Sequence, residues 1–192
     1  MFLLRHPSRR EIERFIDRSH GLPLSYGPTG IVGHRLAVKR FDEQLVTVGR
    51  GQADFERARD ALKRWNHFNI GWVEAFPARL SVEPETDVAV LIRHLGFWSL
   101  NGARVLYQVG GTNGQDAFGF AYGTLTNHAE SGEELFEVFI DRHSGDVMYR
   151  IRAVSRPRSP LTWIGQRIVR VLQARFRRDS AIAMRRATGA RS

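Results

Sequence analysis

No cysteine occurs in the 192 residues. Disulfide scaffolds, zinc ribbons and fingers, and thiol chemistry all need that side chain, so each is excluded. Lysine is nearly missing too: Lys39 and Lys63 stand against 27 arginines. Neither lysine ends a glycine-rich loop, so the chain has no phosphate-binding loop of that kind. It also lacks a Gly-x-Ser-x-Gly nucleophile elbow and a His-Glu-x-x-His zinc pattern. No apolar run approaches the ~18 residues of a membrane span. The apolar start Met1-Phe2-Leu3-Leu4 stops at Arg5, short of the ~7–15 residues of a secretory core. These absences make a cytoplasmic location the expectation. No internal repeat is visible.

What is present is an ordinary globular composition, 42% apolar and 26% charged, which excludes wholesale disorder. The length suits one domain with arms, large enough to bury a core without staples. The net charge is +9, and it is lopsided: residues 150–192 hold twelve arginines and one acid, Asp179. The basicity therefore belongs to the C-terminal segment rather than to the body. Those arginines are not interleaved with exposed aromatics, and no helix-turn-helix or RNA-binding signature accompanies them. A solvated outer helix face is the simpler reading.

Hydrophobic periodicity divides the chain. Ser8 followed by Glu11 has capping-box spacing and opens a short helix over 8–19 with Ile12, Phe15 and Ile16. A Gly/Pro-rich arm follows from Gly21 to Gly33. Strands are expected at 34–41 and 44–48. A helix over about 52–65 places Phe55, Ala58, Leu62 and Trp65 on one face. Strand candidates follow near 71–76, 87–94, 102–109, 116–125, 134–140 and 146–154, separated by turn-forming clusters. Half-buried strands joined by short turns imply an antiparallel sheet. The last element is a long helix over about 160–186, with Ser159 as cap and Pro160 at its first position. Leu161, Ile164, Gly165, Ile168, Val171, Leu172, Phe176, Ile182 and Ala183 form its apolar stripe. Arg175 and Asp179 fall within that stripe, so partial burial of this i,i+4 pair is expected.

Three patterns carry chemistry. Gly49-Arg50-Gly51 lies between a strand and a helix, but Asp54 would repel an anion there, so it reads as a plain turn. In strand 117–124, Phe118, Phe120, Tyr122 and Thr124 share one face. Ala117, Gly119, Ala121 and Gly123 leave the other bare, open to close approach by another element or a ligand. The stretch from Tyr122 through His128 to Glu133 and Glu134 supplies a phenol, an imidazole and two carboxylates for acid–base chemistry. The competing reading is a hairpin whose carboxylates pair across strands with Arg104, Arg150 or Arg152.

Several stretches resemble the DUF1990 family, a domain of unknown function of bacteria and plants. They are Leu24-Ser25-Tyr26; Val48-Gly49-Arg50-Gly51 with Phe55 and Ala58; Val88-Ala89-Val90-Leu91 with Leu95-Gly96-Phe97-Trp98-Ser99-Leu100-Asn101 and Arg104-Val105; Phe118-Gly119-Phe120-Ala121-Tyr122-Gly123-Thr124-Leu125 with His128 and Gly132-Glu133-Glu134; Ser155-Arg156-Pro157-Arg158; and Gln173 with Arg175-Phe176 and Arg178-Asp179-Ser180. The likeness spans about 10–186. One departure is Thr126-Asn127, where the family pattern has a Pro-Gly-like turn before His128.

The resemblance implies an α+β fold of the helix-grip, START-like class: a curved antiparallel sheet gripping a long C-terminal helix, often around an apolar cavity. The expected organisation is a helix and arm over 1–33, one helix-grip-like domain over 34–186 and a frayed tail over 187–192. It implies no established activity; from the residues, neither a cofactor nor a metal is expected. The first functional reading is a small apolar or amphipathic ligand held between sheet and helix. Trp98, Asn101, Arg104, Phe118, Phe120 and Tyr122 would bind it, with Arg175 and Asp179 near its polar end. The second is an enzyme in the same cavity, with His128, Glu133, Glu134 and Tyr122 as catalytic candidates. The third is a surface-binding protein that uses the Arg-rich helix on nucleic acid or acidic lipid, with nucleic acid the less expected partner. Oligomeric state is not legible.

Overall fold

Ser8 caps the first helix, α1 (Arg9–Ser19), by the reciprocal bonding its spacing anticipates. Its hydroxyl accepts from the Glu11 amide, and the Glu11 carboxylate accepts from the Ser8 amide at 2.7 Å. The computed structural model describes residues 1–33, 41–77, 81–110, 116–157 and 166–189. The expected strand at 34–41 falls almost wholly outside them, as do Ser159, Pro160 and the start of the last helix.

Among the described residues, eight strands form one antiparallel sheet. They are β1 (Phe2–Leu3), β2 (Asp42–Arg50), β3 (Val73–Pro77), β4 (Asp87–His94), β5 (Phe97–Val109), β6 (Ala117–Thr124), β7 (Glu130–Ile140) and β8 (Asp146–Pro157). Their order is β2-β8-β7-β6-β5-β4-β3, with β1 added beside β5. Bulges in β2 between Thr47 and Gly49 and in β5 between Val105 and Tyr107 bend the sheet into a curled half-barrel. Strands β5 and β7 begin earlier than the apolar alternation suggested: residues 97–101 already pair with β4, and the polar start of β7 at 130–132 pairs with β8.

Two helices fill the concave side. Helix α2 (Gly51–Lys63) begins where Gly51 takes φ +74°. The Asp54 carboxylate accepts from the Arg50 amide at 2.7 Å and occupies the place an anion would need. Phe55, Ala58, Ala61 and Leu62 are its buried face. Trp65, at φ +61°, turns the chain into a 3-10 turn (Asn66–Phe68) that delivers His67 and Phe68 to the core. His67 stands 4.5 Å from the Phe136 ring, and burial pulls its pKa down to about 3, so it is neutral.

Helix α3 (Gln166–Thr188) is the C-terminal helix; it keeps Leu172 and Phe176 of the expected stripe against the core but is rotated so that the neighbouring face is buried. Ser180, Ala181, Met184 and Thr188 are buried, whereas Val171 and Ile182 are exposed. Ser180 shares a 2.8 Å hydrogen bond with the buried Tyr149 hydroxyl, and the Thr188 hydroxyl donates to the Val48 carbonyl. Small hydrogen-bonded side chains let the helix sit close to the sheet, and this close approach selects the face. The helix runs to Thr188, two residues into the expected frayed tail.

Helix α1 lies on the convex side, where Ile12 and Phe15 cover Ala89, Leu91 and Leu100. Beside it, Arg104 donates to the buried Asp87 carboxylate at 2.7 Å, and His20 reaches the other oxygen at 3.1 Å. The two-residue turn between β4 and β5 places both Leu95 (φ +49°) and Gly96 (φ +81°) in the left-handed region. Glycine accepts that freely, while leucine pays about 1 kcal/mol.

Removing one partner of a buried ion pair leaves the other charge uncompensated. Arg104→Ala is therefore expected to cost about 3 kcal/mol. Calorimetry should show Tm lowered by roughly 6–12 °C. A change under about 1 °C would mean the pair contributes nothing.

Candidate functional site

Concave-facing residues of β4 to β8, the 3-10 turn and α3 enclose a cavity of about 340 Å³. Its apolar wall includes Phe68, Val73, Val90, Ile92, Leu172 and Phe176. Its polar wall is built by strand alternation. Tyr122 of β6 and Glu134 of β7 are register partners, and the phenol donates to the Glu134 carboxyl at 2.7 Å. Glu130, four residues earlier on β7, faces the same space, and Gln173 of α3 donates to its two oxygens at 3.3 and 3.4 Å. Arg177 also lines the cavity and reaches Asp42 at 3.7 Å.

Glu134 is pushed up to about 7, chiefly because burial disfavours its charge. Glu130 adds repulsion, and the Tyr122 hydrogen bond and Arg177 offset part of the rise. Glu130 is raised as well, again mainly by burial. Asn101 is buried on the same wall. Its amide donates to the Ser99 hydroxyl at 3.2 Å, and its carbonyl accepts from the Ala129 amide at 3.3 Å. It thereby ties β5 to the 125–129 turn that carries His128. The Glu130 amide donates to His128 Nδ1 at 2.9 Å, and His128 borders the cavity.

The cavity thus gathers Tyr122, Glu134, His128 and Asn101 from the residues proposed on sequence. Glu133 also borders the cavity, although its carboxylate turns away from it, and the others lie elsewhere. Glu133 points to the convex face. There it accepts from the Tyr26 hydroxyl at 2.8 Å, the Tyr107 hydroxyl at 2.5 Å and the Gly30 amide at 2.9 Å. It anchors the Gly/Pro-rich arm, and the Tyr26 hydroxyl and Leu24 of that arm cover the bare face of β6 at Gly123. Trp98 is also convex-facing, 4.8 Å from the His6 ring, and Arg104 is held by Asp87. Both alternate out of phase with Asn101 along β5, which turns them away from the cavity. Phe120 is in closed core against Trp65 at 4.7 Å, and Phe118 lies under Lys63 at 5.1 Å.

Arg175 and Asp179 are not at the polar end of the cavity. Arg175 is half exposed, its guanidinium 4.5 Å from the Trp72 ring centre. Asp179 accepts from Trp72 Nε1 at 2.9 Å and pairs with Arg178 at 2.9 Å and Arg175 at 3.4 Å. Partial burial works to raise the Asp179 pKa, but these donors and charges outweigh it and hold the carboxyl below its usual value. Arg175 borders an open vestibule of about 710 Å³ outside the cavity. Trp72, His94, Leu95 and Leu172 line both spaces.

The sequence reading missed Glu130, Gln173 and Arg177. The first was detectable: Glu130, Gly132, Glu134 and Phe136 continue one period-two face. The helix residues were not, because their face depends on how α3 is rotated.

Residues 34–183 match the model of a family described as "Domain of unknown function (DUF1990)". A "UPF0548 protein" of Deinococcus radiodurans is 36% identical over 98% of this chain and 100% of that protein. One from Dictyostelium discoideum is 30% identical over 98% of this chain and 96% of that protein, so the relatives extend beyond bacteria. Among solved structures, the chain is similar to the Zhui aromatase/cyclase from Streptomyces sp. R1128. The TM-score is 0.51 at 13% identity, covering 78% of this chain and 93% of the other. That likeness is one of fold, and the fold is helix-grip, START-like.

The raised Glu134 pKa sets a pH dependence. The folded state holds this proton more tightly than an unfolded chain, whose carboxyl titrates near 4.5. Glu134 therefore opposes folding increasingly as pH climbs from about 4.5 to about 7, and above that costs roughly 3 kcal/mol. Glu134→Gln should be stabilised relative to the parent by an amount that grows between pH 5 and pH 8. Thermal melts across that range check this, and a pH-independent difference would refute it.

Proposed function

The chain belongs to the DUF1990 family of domains of unknown function, and on that premise we propose that it holds a small apolar or amphipathic molecule in the cavity between sheet and α3. One observation carries the reading: an apolar-walled cavity of about 340 Å³ with convergent hydrogen-bonding groups at one end. That volume and that division of labour suit a small-ligand site. The apolar part of the ligand lies against Phe68, Val90, Ile92 and Phe176. Its polar group reaches Tyr122, Glu134 and Glu130. Arg175 stands at the vestibule and is not an inner anchor.

A second reading has its own support. A carboxyl near pKa 7, bonded to a phenol and facing a cavity, is suited to take or give a proton at neutral pH. The same pocket supports acid–base catalysis on the bound molecule, with Glu134 as the proton-transferring group and Tyr122 as its donor partner. His128 stays a catalytic candidate by its place on the cavity wall, whereas Glu133 is engaged by the arm. The nucleic-acid reading draws no comparable support. Arg177 pairs with Asp42, Arg178 with Asp179, and Arg185 donates to the Thr47 carbonyl. Among the described residues, no helix is long and apolar enough to cross a membrane.

Native mass spectrometry of the purified protein, followed by denaturation and analysis of released small molecules, tests the first reading. The expected result is a co-purifying apolar or amphipathic compound. Ala153 lines the cavity, so Ala153→Phe should fill it and abolish that adduct while preserving the fold. A clean apo mass, together with no uptake of an apolar fluorescent probe by the parent chain, would overturn it. Tyr122→Phe should weaken retention by about three- to tenfold, the effect of losing one hydrogen bond. A bell-shaped pH profile for turnover of the released compound would favour the catalytic reading.

A further inference from the structure

The cavity mouth carries an apolar rim. Phe2, Leu4, Leu95, Phe97 and Val171 are 68%, 83%, 71%, 44% and 66% exposed. They gather at one end of the molecule. Phe2 and Leu95 line the cavity, and Leu95 and Val171 line the vestibule outside it. Phe97 is the partner of His94 across the β4–β5 turn, and the Phe2 ring is 6.1 Å from that of His94. Leu4 follows β1 directly. A cluster of this kind marks an interaction site rather than ordinary surface.

Leu95 adds a second, independent observation. A two-residue turn with both residues left-handed is best served by Asn-Gly. This chain has Leu95 at the strained first position, with its side chain in water. Backbone strain and apolar exposure at the same residue are the kind of outlier from which a functional inference starts.

The charge around the rim selects the partner. Among the described residues the vestibule lining includes Arg93 and Arg175, the latter also paired with Asp179 at 3.4 Å, and no carboxylate. Arg170, next to Val171, is exposed as well. Apolar tips flanked by arginines complement the interfacial zone of an anionic bilayer, where apolar burial and attraction to head groups act together. We propose that the cavity mouth docks on an anionic lipid surface, with the Leu95 turn entering the head-group region. This goes beyond the ligand reading and does not require the cavity to be occupied. A chain docked this way presents its cavity to the lipid.

Flotation of the full chain with vesicles tests it, using phosphatidylcholine alone and phosphatidylcholine mixed with phosphatidylglycerol. Binding is expected to the mixed vesicles and to fall several-fold as salt is raised. Leu95→Asn should weaken that binding about tenfold, the loss expected when one exposed leucine no longer leaves water. The same substitution should raise Tm by roughly 2–4 °C by relieving the turn. Loss of fold therefore cannot explain loss of binding. Leu45→Asn alters an exposed leucine of β2 outside the rim and should bind as the parent does. Absence of binding to the mixed vesicles would overturn the proposal. So would equal binding by Leu95→Asn, which would assign the attraction to the basic helix alone or leave the rim for a protein partner.

Discussion

The pleat of β7 is the constraint on which this molecule turns. Glu133 and Glu134 are neighbours in the chain, and side chains in a strand alternate between faces. One carboxylate therefore goes to each side of the sheet. On the convex side, two phenols and backbone amides of the arm surround Glu133, so its charge is fully used in holding residues 21–33 against the sheet. On the concave side Glu134 meets one phenol and a second carboxyl, Glu130, and it borders the cavity. The bulge after Val105 completes the separation. It carries Tyr107 to the convex face, where the donor is needed.

The same division explains why only part of the polar cluster belongs to the cavity. A buried carboxylate with three or four donors is structural, because moving any donor leaves it unsatisfied. A carboxyl with one donor and a like-charged neighbour keeps its proton readily and has capacity for another partner. The cavity end has that second character. Its open side leads past Trp72 and His94 to the vestibule, so the polar end, the apolar wall and the exposed rim lie in sequence along one route from the interior to the surface.

Much of the architecture was legible because it rests on local rules. Ser8 and Glu11 are three apart, and the capping box formed. Phe55, Ala58 and Leu62 repeat at helical spacing, and that face is buried. The alternation in 117–124 correctly separated an aromatic face from a bare one. Which face turned inward was not legible, since that depends on what covers the glycines, and the cover proved to be the arm. Trp98 and Arg104 were drawn toward the cavity by chemical type, although counting by two from Asn101 places them on the other face. The α3 stripe was misjudged by about one residue. Hydrophobicity marked Val171 and Ile182 for burial, but Ser180 and Thr188 were chosen by hydrogen bonds and close packing.

The sequence by itself determined the family, the antiparallel sheet with its long C-terminal helix, and the closeness of Tyr122, His128 and Glu134 along one short stretch of chain. Each of these follows from spacing along the chain or from extended motifs. Only the tertiary structure decided which of two adjacent glutamates faces the cavity. It also placed Glu130, Gln173 and Arg177 on the cavity wall and set Arg175 at the mouth rather than inside. Those outcomes depend on sheet curl, strand register and the rotation of a helix about its axis. All three are set by packing between elements distant in sequence, which no local pattern records.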